Sequence, residues 1–337
     1  MAAFTEGTPC WLDVSLPDLE AGKRFYGGLF GWTFGPGPEP YGNTACATAY
    51  SGGSRVAALV AKRDGRMPTA WGVYFATPDA AEAARRVRAA GGSMVREPVA
   101  AGRHGVVALA ADPGGAVFGL WQPAEDAEAE AVDTAGGGAD VVRGEAVRAG
   151  GAGGGPGGSG GGVGFGQRGR PGSFCWTEVY TRLPEPVDAF YERVLRVSGS
   201  DVPGLPGETV PFRMWSPKGA TPGPASAVAG RSVMTDAFPA ALPGHFLNYF
   251  SVADCDAATS AAVRLGGRVR HEPFDIPYGR MAVLTDDQGA DFGVLADPDE
   301  EAGGDDGPGG PPDPSDEAAT ADAAGGAGRG RDGAGEE

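Results

Sequence analysis

Between residues 8 and 123 the apolar positions come mostly in short runs with a period of two, interrupted twice by stretches with a helical period. In PCWLDVSL, Cys10, Leu12, Val14 and Leu16 share one face of an extended chain and leave Trp11, Asp13 and Ser15 on the other. The pattern predicts strands near 8–16, 32–34, 43–50, 55–61, 70–76, 94–97, 105–110 and 116–121, with helices near 19–30 and 80–90. Asp79 is an N-cap signal with Glu82 placed to complete a capping box, and Gly91 stops the same helix.

The pattern then recurs. Cys10, Trp11, Asp13 and Phe25-Tyr26 match Cys175, Trp176, Glu178 and Phe190-Tyr191 at an offset of 165. Asp79, Gly91-Gly92 and Glu97-Pro98 match Asp254, Gly266-Gly267 and Glu272-Pro273 at 175, and DPGGAVFGL (112–120) matches DDQGADFGV (286–294) at 174. Anchors in one order at a nearly constant offset indicate a duplicated domain. The ten-residue drift is expected in the loops of 196–230. In the second copy Asp254 and Gly266 bracket a helix, and Pro184 and Pro186 fall in the first turn of another, where missing N–H groups cost little.

Composition separates these copies from what joins and follows them. The chain has 337 residues, 60 Gly, 29 Pro and a net charge of −17. Residues 297–337 carry 13 acidic and two basic side chains, and residues 124–170 carry seven acidic, four basic and 17 Gly. The copies themselves are therefore close to neutral. A glycine string of this kind cannot bury enough apolar surface to offset its chain entropy, so the expected organisation is a domain at 1–123, a disordered Gly-rich linker at 124–170, a domain at 171–296 and a disordered acidic tail at 297–337. The tail is read as an aid to solubility rather than a partner-binding arm. No basic surface suited to nucleic acid and no apolar run long enough to span a membrane stands out, and the N-terminus lacks the n- and h-regions of a secretory signal. Four Cys do not make a disulfide scaffold, so the expectation is a reducing, cytoplasmic setting.

The βαβββ order twice per copy, with FYGGLFGW early and DPGGAVFGLWQP late in the first copy, resembles the vicinal oxygen chelate superfamily of glyoxalase I, bleomycin-resistance proteins and extradiol dioxygenases. The resemblance covers both blocks. It implies an α+β fold: tandem modules, each of two βαβββ units forming a concave mixed sheet, paired within one chain or across a homodimer. It implies no single activity, because this fold hosts several chemistries.

Metal-dependent relatives put a His, Gln or Glu on three inward strand positions, because a divalent ion needs several convergent donors. Here those places hold Trp11, Gly72 and Gly119, then Trp176, Leu247 and Gly293, none of which can ligate through its side chain. No cofactor is therefore expected, and a divalent metal would need a substitute site. Strand parity instead groups Trp11, Tyr74, Trp121 and His104 around Asp13, and Trp176, Tyr180, Tyr249 and Tyr278 around Glu178, with Asp291 nearby. His104, His245 and His271 are each expected as solvated side chains. Cys10 and Cys175 should face the helices as inert thiols, and neither a nucleophile constellation nor a phosphate loop appears.

Aromatic walls around one acid suit a flat, partly apolar ligand oriented by a few polar contacts. The expectation is a metal-free module that binds a small aromatic or amphipathic metabolite. Two alternatives stand beside it: a lyase, isomerase or oxygenase of the same fold working through Asp13 and Glu178 or an unplaced metal, and a scaffold whose paired modules bind protein.

Overall fold

A computed structural model of the chain describes residues 4–37, 44–124, 164–202 and 212–298. Residues 125–163 of the expected linker and 299–337 of the expected tail lie outside them. The first module runs β1 (Pro9–Leu16), α1 (Leu19–Phe30), β2 (Thr33–Pro36), β3 (Cys46–Ser51), β4 (Ser54–Ala61), β5 (Ala70–Ala76), α2 (Ala80–Ala89), β6 (Ser93–Ala100), β7 (Gly105–Ala111) and β8 (Val117–Pro123). The second repeats it as β9 (Phe174–Thr181), α3 (Pro184–Val194), β10 (Val197–Val202), β11 (Phe212–Pro217), β12 (Ala229–Val233), β13 (His245–Ser251), α4 (Cys255–Arg264), β14 (Arg268–Ile276), β15 (Gly279–Thr285) and β16 (Asp291–Ala296). Each module is one eight-stranded mixed sheet, in the orders β2-β3-β4-β1-β5-β8-β7-β6 and β10-β11-β12-β9-β13-β16-β15-β14.

Local chemistry sets the helix ends. The Asp18 side chain accepts from the backbone N–H groups of Glu20 and Ala21 to start α1, and Gly31 ends it with a φ of 68°. Asp79 Oδ1 accepts from Glu82 N at 2.9 Å, and Gly91 follows α2 with a φ of 88°. The capping box expected there is only half formed: Glu82 pairs with Arg85, and Thr77 Oγ1 takes the Asp79 N–H. Asp254 caps α4 in the same way, whereas α3 begins at Leu183 without a side-chain cap and with proline in its first turn.

The registers refine the alignment of the copies. Asp13 pairs with Ala58 and Glu178 with Gly230, an offset of 172 between the partners, while Gly72 and Leu247 opposite the same two acids differ by 175. Three of the ten extra residues therefore lie in the β12–β13 loop rather than in 196–230.

One core serves both modules. The convex face of each sheet carries the alternate residues Leu12, Val14 and Leu16, or Phe246 and Phe250, and these join a single buried cluster with α1, α2, α3 and α4. At its centre the sheets meet back to back, with Phe75 against Phe246 at 5.8 Å and Trp71 against Phe250 at 4.9 Å between ring centroids.

The repeated motifs interlock across this core. Tyr26 of the first FY pair donates to Asp286 Oδ2 at 2.8 Å, and Tyr191 of the second donates to Asp112 Oδ2 at 3.0 Å. Each Asp also ties its own turn, accepting from Gln288 N and Ala290 N, or from Gly114 N and Ala116 N. The partner phenylalanines fit where the repeated glycines leave room: a Cβ at Gly267 would stand 3.0 Å from Phe25, and one at Gly92 would crowd Phe190. Gln288 adds a two-point contact, accepting from Asp18 N at 2.8 Å and donating to Asp18 O at 2.9 Å.

Residues 164–170, expected as the end of a disordered linker, are instead built into the structure. Phe165 N donates to Cys10 O at 3.0 Å, and its ring stacks on Phe174 at 5.0 Å with an interplanar angle of 8°. The Arg168 guanidinium lies over both rings, 5.8 and 5.2 Å from their centroids. Phenylalanine and arginine within the glycine string supply the contacts that glycine cannot.

Candidate functional site

The concave face of each sheet has a carboxylate at its centre, placed there by strand parity. Asp13 on β1 is 8% exposed and accepts from Tyr74 Oη on β5 at 2.7 Å. Glu178 on β9 is 6% exposed and accepts at Oε1 from Tyr180 Oη at 2.7 Å and Tyr249 Oη at 2.6 Å, and at Oε2 from Ser232 Oγ on β12 at 3.3 Å. Burial and the neighbouring carboxylate push the Tyr74, Tyr180 and Tyr249 phenols well above their ordinary range, so all three remain protonated donors at neutral pH.

The tyrosines that reach the acids from β5 and β13 each depend on a glycine in the last strand. The Tyr74 ring lies flat on Gly119 and the Tyr249 ring on Gly293, and a Cβ at either glycine would fall inside the ring's van der Waals surface. Gly72 leaves similar room beside Asp13, since a Cβ there would stand 3.0 Å from Oδ1.

Around these centres the modules diverge. In the first, Trp11 and Trp121 are 1% and 2% exposed and form one packed cluster with Cys10, Ala58, Val60, Ala76 and Ala101. Phe4 and Phe165 reach this cluster from outside the repeat, and Trp11 lies 6.0 Å from Phe165. Next to it, a depression of about 410 Å³ runs from Phe4 and Glu6 past Trp121 to Ala124. In the second, Leu247, Tyr249 and Met281 form the floor, and Trp176, Tyr180, Phe274, Ile276, Val283 and Leu295 stand half-buried around it. The β12–β13 loop adds a further wall. The Arg182 guanidinium donates to the carbonyls of Leu242, Phe238 and Pro239, which sets Phe238 at 5.7 Å from Tyr180.

Several expected positions need correction. Cys10 and Cys175 do not face the helices. β-Bulges between Pro9 and Trp11 and opposite Tyr249/Phe250 turn them into the concave clusters. Burial pushes both thiols up, Cys175 to about 12, which fits the expectation that they are unreactive. Asp291 accepts from Thr285 Oγ1 at 2.5 Å and from Arg270 at 3.4 Å, and Leu247 stands between it and Glu178 in the sheet. Tyr278 is 45% exposed on the hairpin tip and does not join the acid. His104 is half-buried in the turn before β7, where its backbone bonds to Ala101 and Ala124. Of the histidines expected as solvated, His271 is exposed as expected, within β14 rather than a turn and tilted by 52° against Phe274 at 4.5 Å, whereas His245 is half-buried and stacked on Tyr180 at 5.5 Å.

Sequence reasoning missed Ser232, Phe238 and His245 beside Glu178, and Cys46 beside Asp13. The Asp13 charge helps to raise the Cys46 thiol, second to its burial. The extra three residues of the β12–β13 loop were the available signal for Phe238.

The comparisons with known proteins bear on this architecture. A family model described as a glyoxalase-like domain matches residues 11–121. The anthracycline biosynthesis protein DnrV of Streptomyces peucetius is 33% identical over 310 residues, covering 88% of this chain and 95% of its own. This chain belongs to the glyoxalase-like family. The putative glyoxylase CFP32 of Mycobacterium tuberculosis is another relative, 30% identical over 87% of this chain and 95% of its own. Among solved structures, the Mn(II)-bound glyoxalase of Novosphingobium aromaticivorans superposes with a TM-score of 0.51 at 16% identity, covering 87% of this chain and 82% of that one. The 2,3-dioxygenase LapB of Pseudomonas sp. KL28 gives 0.51 at 13%, covering 88% and 93%. These two likenesses establish the fold alone, that of tandem vicinal oxygen chelate modules.

For a glyoxalase-like fold the fit to a divalent metal can be tested on the residues present. At the six inward places that family resemblance assigns to ligands stand two Trp, one Leu and three Gly, and two of those glycines are covered by tyrosine rings. Among the described residues, no group of three or more His, Cys, Asp or Glu side chains converges as a metal would require. The donor set does not fit. No helix among the described residues is long and apolar enough to cross a membrane.

Proposed function

We propose that this glyoxalase-like protein is a metal-free binder of a planar aromatic metabolite, held on a concave sheet face and oriented by a buried carboxylate. The observation that carries the reading is Glu178: a carboxylate fixed by three hydroxyl donors at the centre of a half-buried aromatic and apolar wall. A carboxylate accepts hydrogen bonds from hydroxyl and amine donors, so a ligand hydroxyl or amine can share Glu178 with an existing donor or replace it. The aromatic rings supply stacking area that is indifferent to the ligand's exact substitution. The relatives' description as anthracycline biosynthesis proteins supports a fused-ring, phenol-bearing ligand class.

The test is a titration of the full chain, treated with a chelator, with alizarin, a dihydroxyanthraquinone, followed by tryptophan fluorescence and by the dye's absorbance. Saturable binding is expected, weakened by about tenfold or more in Glu178→Gln, the range for a hydrogen bond to a charged group. Binding seen only after a divalent metal is added overturns the metal-free reading, and no binding under either condition overturns the ligand class.

A second reading has one observation behind it. Tyr180 and Tyr249 both donate to the same oxygen of Glu178, an arrangement that fixes the orientation of a carboxylate that could serve as a general base. Conversion of the bound compound to a product, lost in Glu178→Gln while binding is retained, distinguishes this enzyme from the binder.

A further inference from the structure

We infer that the two modules are not equivalent sites: the second alone takes the ligand, one molecule per chain, and the first has been closed by its own side chains. The inference rests on the binding function proposed above and assigns it to one face.

The centre of the first module's concave face is occupied from within, and the depression beside Trp121 is lined by neither Asp13 nor Tyr74. Trp121 and Trp11 are packed with almost no exposure, and Phe4 and Phe165 cap them from segments that are not part of the repeated unit. The strand position of Trp121 holds Leu295 in the second module, where the offset between the copies is 174. Leucine is the smaller side chain, and it stands half-buried on an open wall rather than in a sealed cluster. Where the first module has Gly72 beside its acid, the second has Leu247, which gives its floor an apolar centre between Glu178 and Asp291.

The second face also has walls the first lacks. Phe238 is brought to Tyr180 by the longer β12–β13 loop, and Arg182 fixes that loop through three carbonyls. His245 stacks on Tyr180, with an interplanar angle of 9°. Across the floor, Phe274, Ile276, Val283 and Leu295 from β14, β15 and β16 present a second apolar wall. Two walls facing a carboxylate at the base suit a flat, fused-ring molecule inserted edge-on, with a phenolic hydroxyl or amine at its leading edge.

Ile276 is the only isoleucine in the chain, so a selective isoleucine methyl label gives a single NMR resonance on the wall in question. Alizarin titrated into the labelled full-length protein should shift that resonance, saturating at one equivalent with the affinity read from the dye's absorbance. Leu295→Trp, which restores the first module's tryptophan pair in the second, should weaken binding about tenfold or more while leaving the circular dichroism unchanged. Saturation at two equivalents, or an Ile276 resonance that stays in place while the dye binds, overturns the one-site inference and leaves the binding function intact. If Leu295→Trp fails to fold, the wild-type methyl titration decides alone. No binding of the dye by any measure removes the underlying function instead.

Discussion

Trp121 and Leu295 occupy the same strand position in the two modules, one sealed in a packed cluster and the other half-buried on an open wall. Around them the comparison is consistent. The first acid lies beside Tyr74 and a packed tryptophan pair, whereas the second lies beside Tyr180, Tyr249, Ser232 and an aromatic loop. On the convex side the comparison reverses, because both copies keep the FY pair, the glycine that receives its phenylalanine and the aspartate that receives its tyrosine. Duplication has thus preserved what holds the modules together and released what each face does. A copy whose cavity is closed still contributes half of the shared core.

The strongest way to break this symmetry is at the crossed pairs. Asp286→Ala removes the acceptor for the buried Tyr26 hydroxyl and for two backbone N–H groups. It should cost about 3 kcal/mol or more, since each buried donor left without its acceptor costs about 1–3 kcal/mol. Asp112→Ala should cost a similar amount, and thermal unfolding should show one transition lowered in both variants. Two separate transitions would contradict the shared core.

Next come the glycines beneath the tyrosines. Gly119→Ala and Gly293→Ala should each destabilise by about 1–3 kcal/mol in urea unfolding, the usual penalty of overpacking. Only Gly293→Ala should also weaken alizarin binding. Equal effects of the two on binding would erase the distinction between the faces.

Tyr191→Phe is smaller and depends on pH. Burial raises the Asp112 carboxyl above its ordinary value while the Tyr191 hydroxyl and backbone donors pull it down, so removing the hydroxyl raises it further. A carboxyl whose folded pKa lies above the unfolded value binds its proton more readily in the folded state, and stability falls as pH rises between the two. The loss in Tyr191→Phe, about 1–2 kcal/mol at neutral pH, should therefore shrink as pH falls through the raised Asp112 value. A loss that grows on acidification would contradict the assignment.

The smallest effect separates two helix starts. Asp18→Ala should cost about 1 kcal/mol by removing the cap of α1, measurable in urea unfolding. The same change at Leu183, which makes no cap for α3, should cost no more than its lost packing.

Most of the element order was legible because the strands of both copies carry strict alternation and the helices carry their caps in sequence. Asp79, Gly91, Asp254 and Gly266 do in the structure what their types suggest. Parity placed Tyr74 on Asp13 and Tyr249 on Glu178 correctly. It failed at Cys10 and Cys175, since a bulge adds one residue and reverses the faces without any mark in composition. It also could not separate a filled face from an open one. That difference comes from Phe4 and Phe165, outside the repeat, and from Phe238, in a loop whose path depends on Arg182.

The crossed pairs also set an order in time. When a ribosome has released residues 1–123, the Asp112 turn lacks the hydroxyl that arrives 79 residues further along the chain, and the space at Gly92 lacks Phe190. The half-chain exposes Phe75 and Phe118 on a surface that Phe190, Tyr191 and Phe246 of the second module cover. The nascent first module therefore lacks part of its core until its twin has been made.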